Sequence, residues 1–153
     1  MGHPVRAGWC SARDKIRMTQ MSATTVNLGS LADIVEARRK GYQVARKIGF
    51  SAMDSTVIAT VISELAHTLV GHPHATVNVA LTEHGRDRGI EVMMACDADG
   101  VKAAPLGGPF IERTRPLVDE LHILDDPLRT AITLKKFLPK PRGRRLRLVV
   151  SPG

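Results

Sequence analysis

The chain has 153 residues, 43% of them hydrophobic and 24% charged, which suffices to bury one sizeable core and therefore points to one domain. No apolar run approaches the roughly 18 residues that cross a bilayer, and the start lacks the long apolar stretch of a secretory leader. A cytoplasmic protein with no membrane partner is expected, and Cys10 and Cys96 are too few and too differently placed for a disulfide framework.

The net charge of +7 suggests nucleic acid until the charges are located. Residues 1–21 carry Arg6, Arg13, Lys15 and Arg17 against Asp14, and residues 140–153 carry Lys140, Arg142, Arg144, Arg145 and Arg147 with no acid. The stretch 22–139 is left with a net charge of −1, from 13 cations against 14 acids. The basicity thus belongs to two ends, and basic tails give weak, salt-sensitive attraction to any polyanion. With one Trp, one Tyr and three Phe, the chain has few side chains on which bases could stack, which argues against single-strand recognition.

In chain order, residues 1–21 show no periodicity and are expected to be a disordered extension or to precede the true start, at Met18 or Met21. Thr24 to Leu28 alternates as a short strand, and Ser30 caps a helix that runs to about Lys47 and leaves through Gly49-Phe50. From Asp54 to Val70, residues Val57, Ile58, Val61, Ile62, Leu65, Ala66, Leu69 and Val70 form one apolar stripe at helical spacing. Ser51 and Asp54 make a capping-box-like start, and Gly71 and Pro73 stop the helix. Thr60, Glu64, His67 and Thr68 lie on the opposite face, with Glu64 and Thr68 one turn apart.

Ala75 to Leu81 and Ile90 to Cys96 read as a hairpin, with Val77, Val79, Leu81, Ile90, Val92, Met94 and Cys96 inward and Glu83 to Gly89 as the turn. A Gly-, Ala- and Pro-rich loop follows from Asp97 to Pro109. Phe110, Ile111, Thr114, Leu117, Val118 and Leu121 then share a helical face, and Pro116 within it either kinks the helix or marks its true start. After a turn at Asp125-Asp126-Pro127, Thr130 to Leu138 is the last strand, and Arg145 to Val150 offers an additional edge strand. Helices beside a mostly antiparallel sheet make an α+β, two-layer sandwich. The domain is expected over 22–139, with a basic tail at 140–153.

This order of elements resembles the GHKL ATPases (gyrase, heat-shock chaperone and histidine-kinase type; the Bergerat fold), and among them the switch serine kinases and anti-sigma factors of bacterial stress signalling. Ala37-Arg38 with Ala45-Arg46-Lys47-Ile48-Gly49-Phe50 is similar to the family's first helix and its exit, and Ile62-Ser63-Glu64-Leu65-Ala66 to its nucleotide helix. Thr130-Ala131-Ile132-Thr133-Leu134-Lys135-Lys136-Phe137-Leu138 resembles its closing strand. The resemblance covers about residues 24 to 138.

The resemblance implies ATP and Mg²⁺ as cofactors, with Glu64 as the general base on the attacking hydroxyl. Where the family has a magnesium-binding asparagine, this chain has Thr68, a hard-oxygen ligand of shorter reach. Asp97 takes the place of the aspartate that accepts from the adenine amino group. Gly100 matches a glycine of the same motif, whereas Asp99 replaces another and adds negative charge beside a polyphosphate. Only residues 101–106 separate Gly100 from Gly107 and Gly108, the second glycine box, so the phosphate lid is short, and Pro109 removes a backbone donor.

A scaffold kept while the ATP site erodes implies a regulator acting by protein binding, on a STAS-domain antagonist or a sigma factor, as a homodimer or in a heteromeric complex. The alternatives are an active Mg-ATP-dependent serine/threonine kinase and a nucleic-acid-binding module using the basic tail. A further rival is a metal site of His67, His72 and His74 with His84 and Cys96 nearby, which lacks standard zinc spacing.

Overall fold

The computed structural model describes residues 23–97 and 109–140. Strand β1 (Thr24–Asn27) leads to helix α1 (Leu31–Ile48), helix α2 (Ala52–Leu69), strands β2 (Thr76–His84) and β3 (Asp87–Asp97), short helix α3 (Pro109–Thr114) with a 3₁₀ turn at Arg115–Leu117, and strands β4 (Glu120–Asp125) and β5 (Arg129–Phe137). The five strands form one antiparallel sheet in the order β1-β2-β3-β5-β4. The architecture is α+β, with α1 and α2 packed on one face of the sheet.

The helix starts follow from their caps. Asp33 Oδ2 accepts from the backbone N–H of Ser30 at 2.8 Å and of Gly29 at 2.9 Å, which pins the entry to α1. Ser51 Oγ accepts from Asp54 N–H at 3.0 Å and opens α2. Gly49, at φ 120°, makes the sharp passage between the two helices, and Phe50 behind it is buried. The apolar stripe of α2 is buried from Ile58 to Leu69. It lies over rows of inward strand residues: Val26, Val77, Met94 and Ile132 stand in register, as do Val79, Val92 and Leu134, with half-buried Leu121 opposite Leu134. Each large side chain enclosed there contributes roughly 1.5–3 kcal/mol.

Two sequence expectations need correction. The turn expected over Glu83 to Gly89 is only Gly85-Arg86, because His84 still pairs with Asp87, and Gly85 at φ 61° supplies the positive dihedral that a two-residue hairpin loop needs. The helix expected through Leu121 ends at Thr114. Pro116 has no N–H to continue the α-helical ladder, and the chain tightens there into the 3₁₀ turn Arg115–Leu117. Leu121 instead lies on β4, opposite Leu134 of β5. The expected residues 1–21, the loop 98–108 and Arg145 to Val150 lie outside the described residues.

Candidate functional site

Glu64 projects exposed from the polar face of α2, at the lip of a hollow of about 300 Å³ lined by Thr56, Val57, Thr60, Val61, Glu64, Arg113 and Leu117. The stop enforced by Pro116 places Arg113 and Leu117 across from α2, so the hollow unites the central helix with the short segment after 108. Its hydroxyls are turned back into the helix: Thr56 Oγ1 donates to Ala52 O at 2.9 Å and Thr60 Oγ1 to Thr56 O at 2.9 Å. Glu64 and Arg113 remain as its charged groups, a carboxylate able to accept a proton and a guanidinium suited to an anion.

Thr68, the expected metal ligand, is half-buried in the last turn of α2, and its hydroxyl donates to Leu65 O at 2.7 Å. That bond turns the side chain back along the helix. Magnesium requires hard oxygens close to octahedral geometry, and among the described residues no three of the His, Cys, Asp and Glu side chains gather as a metal site would need. The Thr68 hydroxyl is engaged within the helix rather than presented as a ligand. His67, His72 and His74 likewise do not come together as ligands.

Asp97 lies elsewhere from Glu64. Along β3 the buried residues Val92, Met94 and Cys96 face the helices, so the next residue, Asp97, falls on the other face of the sheet. There His74 Nδ1 lies 2.7 Å from Asp97 Oδ2, and Asp97 N–H donates to Pro73 O at 2.9 Å. His74 adopts φ 53°, which turns its ring outward between the α2 exit and β2. Asp97 is not among the residues that line the hollow beside Glu64. Burial raises the Cys96 thiol above its ordinary pKa, and the charges of Asp97 and Asp125 raise it further. Gly100, Gly107 and Gly108 lie outside the described residues.

Sequence reasoning did not single out Arg113, whose approach to Glu64 depends on where the helix after 108 stops, and it read His74 as a candidate metal ligand rather than as the partner of Asp97, 23 residues away. No helix among the described residues is long and apolar enough to cross a membrane. Compared with known proteins, the chain matches no family model and no curated sequence.

Proposed function

We propose that this chain is a GHKL-type regulator of bacterial sigma-factor signalling, an anti-sigma or switch-serine-kinase-like protein of the cytoplasm that acts by holding a protein partner rather than by phosphoryl transfer. Its partner is a STAS-domain antagonist or a sigma factor. The observation that carries the reading is the outer surface of the helix pair. Leu31, Val35 and Met53 on the two helices are 65%, 68% and 79% exposed, and Val35 lines a shallow depression of about 500 Å³ with Arg38, Arg39, Tyr42, Gln43, Thr56 and Ala59. Large apolar side chains set among arginines and a tyrosine are the composition of a protein-binding surface.

The element order and the position of Glu64 on the central helix support the Bergerat-type reading of the sandwich. The inward hydroxyl of Thr68 and the outward phase of Asp97 support binding without catalysis.

Calorimetric titration of the full chain with the sigma factors and STAS-domain proteins of the same bacterium tests the reading. Binding is expected without nucleotide. Val35→Asp is expected to weaken it about tenfold or more, as for an interface hot spot, with the unfolding midpoint unchanged. Absence of binding to every such protein would overturn it. A parallel titration with ATP, with and without Mg²⁺, is expected to show no magnesium-dependent binding. Tight Mg²⁺-dependent binding would favour the kinase alternative, in which Glu64→Ala abolishes phosphorylation and leaves partner binding intact.

A further inference from the structure

A second pocket, of about 310 Å³, opens on the α1 side of the molecule and shares no lining residue with the hollow beside Glu64. One stripe of α1 forms its wall: Lys40, Gln43, Val44, Lys47 and Ile48, spaced i, i+3, i+4, i+7 and i+8. The sheet contributes Thr24 from β1 with Ala23 just before it, Leu81 from β2 and Arg88 from β3. Among the described residues the lining therefore holds three cations, one amide, one hydroxyl and an apolar floor of Val44, Ile48 and Leu81, with no acid.

Nearby acids neutralise these cations only in part. Glu36 is already gripped by Arg39, with Arg39 Nε donating to Oε2 at 2.9 Å and Nη2 to Oε1 at 2.7 Å, so Lys40 Nζ stands off at 3.5 Å. Arg88 Nε is 3.5 Å from Glu83 Oε1. Among the described residues Lys47 makes no ion pair. A cluster of this kind is unexpected in a stretch whose net charge is −1, because like charges repel unless something anionic joins them.

Lys40 and Lys47 are two helical turns apart, about 10 Å along the axis, and Arg88 reaches across from the sheet. Three long cationic side chains over an apolar floor suit a group carrying close to two negative charges joined to an apolar body. A phosphate monoester has that charge at neutral pH, and guanidinium and ammonium groups bind it by complementary routes. The cavity is at the small end of the range for ligand sites, so the body is no larger than a ring or a short chain. We infer that this pocket binds a small organic phosphate monoester, its phosphate held by Lys40, Lys47 and Arg88 and its apolar body resting on Val44, Ile48 and Leu81. The inference is independent of the proposed partner.

Phenyl phosphate is the probe, titrated calorimetrically into the full chain, with inorganic phosphate as the comparison lacking an apolar body. Phenyl phosphate is expected to bind more tightly than inorganic phosphate, and both to weaken as salt is raised. Lys40→Glu and Lys47→Glu are each expected to weaken phenyl phosphate about tenfold, while Arg129→Glu, an exposed cation outside the pocket, leaves it unchanged. Lys47→Gln, a milder change at an exposed position, is expected to weaken it less than Lys47→Glu while keeping the unfolding midpoint. No binding of phenyl phosphate, equal affinity for inorganic phosphate, or equal weakening by Arg129→Glu, which would mark attraction to overall charge, would overturn the assignment.

Discussion

At Gly89 the chain permits no side chain. A Cβ there would run into the backbone oxygen of Lys136 and lie 2.9 Å from Phe137 Cα, both on the neighbouring strand β5. Backbone cannot yield as a side chain can, so Gly89→Ala is expected to cost at least about 2 kcal/mol by separating β3 from β5, measured by urea unfolding. Ser55 presents the reverse case. Its Oγ is buried in the first turn of α2 with no hydrogen-bond partner, and a buried polar group left unpaired costs about 1–3 kcal/mol. Ser55→Ala removes that group at a position where alanine also favours the helix. Its expected outcome is a gain of about 1 kcal/mol in the same unfolding measurement. Neither effect is visible from residue type: serine near a helix start reads as a cap, yet the cap is Ser51, and Ser55 faces the core.

Between elements, α1 and α2 meet closely because Gly41 faces Ile62, and a Cβ at Gly41 would strike Ile62 Cδ1. The obstacle is the end of a flexible side chain, so Gly41→Ala is expected to destabilise by about 1 kcal/mol, and adding Ile62→Val, which removes that Cδ1, to cost less than the sum of the two single changes. A double-mutant cycle by denaturant unfolding measures this coupling. At the sheet edge, Lys135 Nζ lies 3.0 Å from Glu120 Oε2 and ties β4 to β5. That hydrogen bond, with the charge of Lys135, holds the Glu120 carboxyl below its ordinary pKa. A carboxyl with its folded pKa depressed contributes stability above its unfolded pKa and loses it as pH falls through the folded value. Thermal unfolding across the acid range is therefore expected to show a shallower loss of stability in Glu120→Gln than in the wild type.

Those elements differ in how far the chain announces them. The caps at Ser30 and Ser51 and the stripe from Ile58 to Leu69 are local, and their outcome in the fold follows from hydrogen bonds and spacing a few residues long. Strand β4 is not local. Leu117, Val118 and Leu121 have helical spacing, and Leu121 becomes a strand residue only because β5 supplies its hydrogen bonds and Leu134 its neighbour. The same holds for the site: Glu64 is legible as a polar residue on an amphipathic helix, whereas Arg113 reaches the hollow only through the arrest at Pro116, and Asp97 turns away because of its phase on β3.

For the whole molecule, charge is divided by region. The stretch 22–139 is almost neutral and both ends are basic, so any attraction to a polyanion is expected to come mainly from the ends. Removal of residues 141–153 is expected to weaken salt-sensitive binding to a polyanion such as heparin, read as earlier elution from a heparin column, and to leave the unfolding midpoint and binding to a sigma factor or STAS-domain protein unchanged. Sequence by itself determined the features set over short distances: both long helices with their capped starts, the inward faces of β2 and β3, and the location of the charge. The tertiary structure alone decided the fifth strand, the pairing of His74 with Asp97, the hollow between Glu64 and Arg113, and the convergence of Lys40, Lys47 and Arg88. Each of these joins residues far apart in the chain, and their distance depends on sheet register and helix packing rather than on any local preference of the backbone.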